Sequence, residues 1–315
     1  MSQSNYRMRL LVVRLSALGD VAILEPVLRQ RAAANPDVLF MVAGPPRLEP
    51  LFRGMGNVLY VPTERKQKII DLYHLLRELK PDMVADMHHV LRVIGVDWLF
   101  RLHGVKVKSI RKHTRRDVPS WQRYDRVFAR CGLKGEVDSE GYWQVKPAEG
   151  RQRVIGVAPF AQHQGKIWPL ERMECLVEML SRKGYKVWLF GSGAEAAVME
   201  RWEEKYKDVE SLAGKYTFEE ELQRIAALDL MVSMDSANMH FASCLGIPVV
   251  SIWGATHPCR GFYGWWQNPD WAVQREMDCR PCSKYGNKPC KMGDYPCLTS
   301  ISPTDVMELI ESVVL

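Results

Sequence analysis

No stretch of the 315 residues approaches the ~20 uninterrupted apolar residues that a membrane-spanning helix needs. A helical membrane protein is therefore not expected. The polar start Met1-Ser-Gln-Ser-Asn-Tyr-Arg7 runs straight into a strand-like segment and lacks the apolar core of a signal peptide, so a cytoplasmic location is expected. There is no short-period repeat and no low-complexity tract. No nucleic-acid-binding motif is recognisable, and aromatic residues are not interleaved with basic ones as a stacking platform requires, so nucleic acid is not an expected partner. A G-x-G-x-x-G fingerprint after the first strand is also missing, which gives a nicotinamide dehydrogenase little support.

What the chain does contain is ordinary globular composition, with 47% hydrophobic and 25% charged residues. Its length suits two domains, each with its own core. The net charge of +6 is modest but uneven. Lys106, Lys108, Arg111, Lys112, His113, Arg115, Arg116 and Arg123 crowd one stretch with a single acid, Asp117. Such a run is either a solvated loop or a surface for an anionic acceptor or anionic membrane. The eight cysteines of a cytoplasmic chain argue against a disulfide framework. Cys279 and Cys282 have zinc-knuckle spacing, and Cys290 and Cys297 follow. Two readings stay open for these four: a tetrahedral structural zinc site, or reduced thiols in a loop-rich segment.

Strand-like and helical segments alternate along the chain, which predicts doubly wound parallel sheets. The first half opens with the buried strand Arg9–Arg14, then Leu15-Ser-Ala-Leu-Gly-Asp20 and a helix to about Ala34 in which Pro26 is expected to cause a bend or delay. Strands follow at Val38–Ala43, Val58–Val61 and Met83–Met87, with helical spacing over Ile69–Leu76. Residues 132–153 turn polar and rich in Gly, Glu and Lys, the best candidate linker. The alternation then restarts with Val154–Ala158, a helix over Leu170–Lys183, the strand Lys186–Phe190 and a helix from about Ala194 to Tyr206. An irregular stretch from Ala255 to Pro303 precedes a terminal helix, Thr304–Val314. Two Rossmann-like domains are expected, 1–150 and 151–315, with a ligand cleft between them and a terminal helix able to pack back on the first.

The most informative element is Val232-Ser-Met-Asp-Ser-Ala-Asn-Met-His240, followed by Gly246-Ile-Pro248 and a run closing on Gly254. It reads as strand, turn, helix, turn, strand, with Asp235 and Ser236 as helix N-caps. Free N–H groups at the carboxyl end of a strand make a candidate anion site, fitting a nucleotide diphosphate. Three further elements fall at strand ends. Asp20 is either a helix cap or a carboxylate that takes a proton from an attacking hydroxyl. Lys166, in Ala158-Pro-Phe-Ala-Gln-His-Gln-Gly-Lys-Ile-Trp-Pro169, is either a surface lysine or a phosphate partner. Glu195, after the small residues Gly191-Ser-Gly193, could accept from ribose hydroxyls.

Taken together, Arg14-Leu-Ser-Ala-Leu-Gly-Asp-Val21 with Pro26, Lys166-Ile-Trp-Pro169, Gly191-Ser-Gly-Ala-Glu195, Leu212-Ala-Gly-Lys215, and Asp235-Ser-Ala-Asn-Met-His240 with Gly254-Ala-Thr256 resemble the family-9 glycosyltransferases, over nearly the whole chain. The best-known members are ADP-heptose:lipopolysaccharide heptosyltransferases. The resemblance implies a GT-B fold, with an acceptor-binding first domain and a nucleotide-sugar-binding second. It implies metal-independent, inverting transfer of a heptose from ADP-heptose to an anionic lipopolysaccharide inner-core acceptor, with no cofactor required and no metal site. Asp20 is then the general base and Lys166 steadies the diphosphate. Glu195 holds the ribose and Asp235 the sugar hydroxyls, while N–H groups around Ser236, Ala237, Asn238 and Met239, with His240 beside them, cradle the phosphates. Lys108, Arg111, Lys112 and Arg116 become acceptor contacts, and a peripheral position at the inner membrane fits them. Ala237 stands where the family usually has glycine; it strains the site if the backbone there needs φ > 0 and is harmless if helical. The alternatives are a family member using another sugar, a nucleotide-sugar epimerase, and a non-catalytic nucleotide-sugar-binding module.

Overall fold

The computed structural model describes residues 6–64, 66–111, 118–138, 141–146 and 150–314. The chain divides into two compact units, Met1–Ser139 and Glu140–Leu315. The polar segment read as a linker thus splits between them. Trp143 belongs to the second unit, where its ring lies 4.8 Å from that of Trp266 and its Nε1 donates to the Ser243 carbonyl at 2.9 Å.

In the first unit β1 (Met8–Val13), α1 (Leu18–Ala34), β2 (Val38–Gly44), β3 (Val58–Pro62), α2 (Ile69–Glu78), β4 (Met83–Asp86), α3 (Leu91–Leu102), β5 (Lys106–Ser109) and α4 (Ser120–Arg130) follow in chain order. The strands form one parallel sheet in the order β3-β2-β1-β4-β5. Central β1 is a continuous apolar run because helices cover both faces of such a sheet; Leu10, Leu11 and Val12 are fully buried. Pro26 does not delay α1, which runs through it. The buried residues Val21, Ile23, Leu24, Val27 and Leu28 lie on either side of it. At about 1.5–3 kcal/mol each, their burial outweighs the ~3 kcal/mol a proline costs inside a helix.

In the second unit come β6 (Val154–Ala158), α5 (Leu170–Arg182), β7 (Lys186–Leu189), α6 (Ala196–Lys205), β8 (Val209–Ser211), α7 (Phe218–Ala226), β9 (Leu230–Met234), α8 (Ala237–Cys244), β10 (Val249–Ile252), β11 (Ala272–Val273), α9 (Pro296–Thr299) and α10 (Pro303–Val314). Its six-stranded parallel sheet has the order β11-β10-β9-β6-β7-β8. The doubly wound expectation holds in both units. Besides β11 and α9, which lie in the stretch read as irregular, β8 and α7 escaped the sequence reading. The strand β8 is three residues long, too short to show a period, and α7 is announced chiefly by its capping box. Thr217 Oγ1 accepts from Glu220 N at 3.3 Å, and Glu220 Oε2 accepts from Thr217 N at 2.8 Å. The terminal helix α10 buries Val306, Met307, Ile310 and Val314, in the same core as Met173, Leu176, Val177 and Leu180 of α5.

Both strand orders place a topological switch. In the first unit β1 sends its chain to β2 on one side and borders β4 on the other; in the second, β6 does the same between β7 and β9. Loops leaving the two strands at such a point part to opposite faces and open a crevice, where ligands of α/β sheets bind.

Candidate functional site

At the switch point of the second unit the two loops meet through one ion pair. Lys166 comes from the loop after β6 and Asp235 directly follows β9; Lys166 Nζ lies 2.8 Å from Asp235 Oδ2 and donates to the Asp235 carbonyl at 3.1 Å. The Asp235 side chain is 5% exposed and that of Lys166 16%. Lys166 is therefore no surface lysine. Trp168, two residues on, is fully buried, and its Nε1 donates to the Ile301 carbonyl at 3.2 Å. That anchor fixes the loop against the core.

Ser236 is the N-cap of α8, but its side chain makes no cap bond. Its Oγ lies 3.1 Å from Ser233 Oγ instead. The expected hydroxyl cap is thus redirected toward the strand, and the helix start keeps the partial positive charge of its N–H groups. Ala237 is the first residue of α8 and not among the residues with positive φ, so alanine there carries no backbone strain. Asn238 is half-buried. Met239 is fully buried and His240 is 5% exposed, so Met239 offers the site its backbone and not its side chain.

Glu195 follows β7 in a short 3-10 turn, where its Oε2 accepts from Ser192 N at 2.7 Å and Ser192 Oγ at 2.9 Å. The neighbouring glycines explain the small-residue motif. A Cβ on Gly214, whose φ is +67°, would stand 2.8 Å from Gly193 Cα, so the Gly191-Ser-Gly193 and Leu212-Ala-Gly-Lys215 segments touch through bare backbone.

One supporting element was not legible beforehand. The irregular stretch after β10 clasps the Lys166 loop: Ala255 N donates to Gly165 O at 2.8 Å, Gly165 N to Gly286 O at 3.1 Å, and Ser283 N to Ala255 O at 3.2 Å. Gly286 has φ +73°, and a Cβ there would lie 2.6 Å from Lys166 Cγ. Contacts so distant in sequence leave no local signal beyond the glycines themselves. Cys279, Cys282, Cys290 and Cys297 of this stretch are free thiols, as is exposed Cys259; Cys297 is buried, Cys279 and Cys282 exposed and Cys290 half-buried. Burial raises the Cys297 pKa; Arg280 opposes this, and Cys282, Cys290 and Cys279 add to it. Among the described residues these sulfurs are not one of the groups whose ligand atoms converge within 4.8 Å.

In the first unit the switch point holds Asp20. It does serve the helix start, accepting from Ala17 N at 3.4 Å. Its Oδ2 also lies 2.5 Å from Arg14 Nη2, and Arg14 Nη1 donates to the Met87 carbonyl at 2.6 Å. Tyr124 donates to the Asp20 carbonyl at 3.2 Å, beneath the Arg14 guanidinium. Arg14 therefore ties the loops after β1 and β4 together and aims the carboxylate. Ser16 Oγ lies 3.2 Å from His88 Nε2. Burial, then the Arg14 charge, pushes the His88 pKa down to about 4, so this imidazole is neutral at pH 7.

Behind His88 lies a set absent from the sequence reading. Asp86 Oδ1 accepts from the N–H groups of His88 and His89, and its Oδ2 is 3.1 Å from His89 Nδ1. Asp86, His89 and Asp97 offer ligand atoms within 4.8 Å of one another, which could hold a cation. Burial, with Asp86 beside it, pushes the Asp97 carboxyl up to about 8. Asp97 lies inside α3, eleven residues from Asp86, where no motif marks it. Of the expected acceptor contacts, Lys108 lies half-buried on β5 and Arg111 is exposed just beyond it. Lys112 and Arg116 fall outside the described residues.

Residues 74–293 match the family described as glycosyltransferase family 9 (heptosyltransferase). Lipooligosaccharide heptosyltransferase 2 of Haemophilus influenzae is 35% identical over 115 residues, which cover 35% of this chain and 33% of that protein. The chain thus spans, in the matched part, about a third of that curated relative's length. Among solved structures, a family 9 glycosyl transferase from Veillonella parvula superposes with TM-score 0.78 at 21% identity, covering 100% of this chain and 99% of that one. The E. coli ADP-heptose lps heptosyltransferase II gives TM-score 0.73 at 22% identity, covering 98% of each chain. At these identities the structures establish a shared fold over the full length. With the family match across most of its residues, this chain belongs to glycosyltransferase family 9.

Proposed function

We propose that the chain transfers a heptose from ADP-heptose to a hydroxyl of an anionic lipopolysaccharide inner core, with inversion and with no metal or other cofactor in the chemical step. The observation that carries this reading is the Lys166–Asp235 pair at the start of α8, at the switch point of the second sheet. A diphosphate on the α8 N–H groups comes within reach of the Lys166 ammonium. As the bond to the sugar breaks, negative charge grows on the phosphate and meets a fixed cation and fixed dipoles, worth up to ~3–4 kcal/mol per donor. The electron pair of the breaking bond leaves with ADP. The acceptor oxygen forms its bond from the opposite face of the sugar, and Asp20 takes its proton. Asp235 then serves the sugar hydroxyls and Glu195 the ribose. A structural relative known as the E. coli ADP-heptose lps heptosyltransferase II supports the donor and acceptor classes.

The test is binding of ADP, UDP, GDP and dTDP, each with EDTA and with Mg²⁺, followed by transfer to heptose-deficient lipopolysaccharide. Selective ADP binding unaffected by EDTA is expected. Preference for another nucleotide replaces the sugar and keeps the family, and binding without transfer favours the non-catalytic reading.

A further inference from the structure

The exposed apolar side chains of the first unit concentrate on one surface. Ile69 and Ile70 at the start of α2, Val90 at the N-cap of α3, and Leu91, Trp98 and Leu102 along α3 are all exposed. Leu91 is 87% exposed, and Trp98 and Leu102 are each 63% exposed. At 100° per residue, positions 91, 98 and 102 fall within a narrow stripe, so the opposite face, with Val93, Val96 and Phe100, is the one that enters the core. Ile69 packs against Gly95, which joins the two helices into one ridge. Monomeric proteins seldom leave such apolar residues together in water without a partner.

The surroundings of the ridge select the partner. Arg101 follows Trp98 by one turn, and exposed Lys106 starts the edge strand β5 beside α3. From Trp98 to Arg111 the sequence carries Arg101, Lys106, Lys108 and Arg111 and no acid. The exposed acids of this region include Glu64 and Asp71 near the start of α2 and Glu78 at its last residue. A twofold contact with a second copy would bring this cationic rim against itself, at a cost in repulsion. An exposed tryptophan between leucines, bordered by lysine and arginine, instead matches the interface of an anionic bilayer, where the indole sits among headgroups and the cations meet lipid phosphates.

We propose that the α2–α3 ridge of the first unit docks on an anionic lipid surface, through Leu91, Trp98 and Leu102, with Arg101 and Lys106 facing the headgroups. This deepens the reading above, because an acceptor anchored in a membrane has to be met at that membrane. Its physical basis is independent of which sugar is moved.

The test is co-sedimentation of the full chain with vesicles of phosphatidylethanolamine and phosphatidylglycerol, against phosphatidylcholine alone, without donor or acceptor. Preferential binding to the anionic vesicles, weakened by salt, is expected. The triple variant Leu91→Gln, Trp98→Gln, Leu102→Gln should lose on the order of tenfold or more in partitioning. Its circular dichroism, ADP binding and transfer to a soluble, delipidated acceptor should stay those of the parent. A second variant, Arg101→Glu with Lys106→Glu, should lose binding mainly at low salt. Equal partitioning of parent and triple variant overturns the proposal. So does a parent that ignores vesicles and self-associates through the same residues. Failure of ADP binding would instead sink the transferase reading and leave the vesicle result standing.

Discussion

Lys166 and Asp235 are 69 residues apart in sequence, yet the lysine ammonium lies 2.8 Å from the aspartate carboxylate and 3.1 Å from the same residue's carbonyl oxygen. The pair bridges the loop after β6 and the end of β9 and holds a positive charge beside the start of α8. Both contacts come from the protein's own groups, so the proposed phosphate would meet a lysine whose position is already fixed.

Replacing Lys166 by alanine leaves the Asp235 carboxylate buried with its cation removed. Breaking one partner of a buried pair costs about 3–5 kcal/mol, so the thermal midpoint should fall and ADP affinity with it. Lys166→Arg, which keeps the charge, should recover most of the stability. Melting curves with and without ADP decide; unchanged midpoint and affinity in the alanine variant would remove the lysine from the site.

Asp20→Asn should suppress transfer by at least 10²–10⁴-fold, the usual contribution of a positioned base. ADP binding should be unaffected, because the proposed nucleotide contacts are residues of the second unit. Single-turnover transfer and calorimetric ADP binding measure the two effects separately. Parallel loss of both would mean that the variant is misfolded or that Asp20 plays no part as a base.

Gly286→Ala places a methyl 2.6 Å from Lys166 Cγ at a position with φ +73°. The backbone term alone costs about 1–2 kcal/mol, and the steric one displaces the lysine. Weaker ADP binding, on the order of tenfold, is expected although residue 286 is not among the proposed donor contacts. Titration of ADP into the variant checks this.

Ala237→Gly should be nearly silent. Ala237 opens α8 without positive φ, and glycine there costs at most ~1 kcal/mol of helix propensity. Donor affinity within about twofold of the parent is expected. A large gain for glycine would show that bound phosphate demands a backbone shift at this residue.

Asp97 gives a pH signature. Its carboxyl is held up to about 8, by burial first and by neighbouring Asp86 next, whereas an unfolded aspartate ionises near ~4. The folded state therefore keeps this proton to higher pH, and stability is lost as pH rises from about 4 toward about 8. Asp97→Asn has no proton to lose, so its midpoint should pull progressively ahead of the parent's as pH rises through this window. Melts across the pH range read the gap, and a constant gap would mean that Asp97 does not titrate in this range.

The alternation of apolar runs with helical spacing was legible from residues alone. So were Asp20, Lys166 and Asp235 as residues at strand ends, because chain order and strand periodicity are local properties. The buried strand β1 and the helices α1 and α5 announce themselves by what their own residues bury. Tertiary structure decided the rest. Only the order β11-β10-β9-β6-β7-β8 brings the end of β6 beside the end of β9, and so pairs Lys166 with Asp235. Only the loop after β10 shows why Gly286 must lack a side chain. Asp97 became chemically distinctive when the packing of α3 on β4 set it against Asp86. In each case the deciding energy is a contact between residues far apart in sequence, to which no local pattern of residues is sensitive.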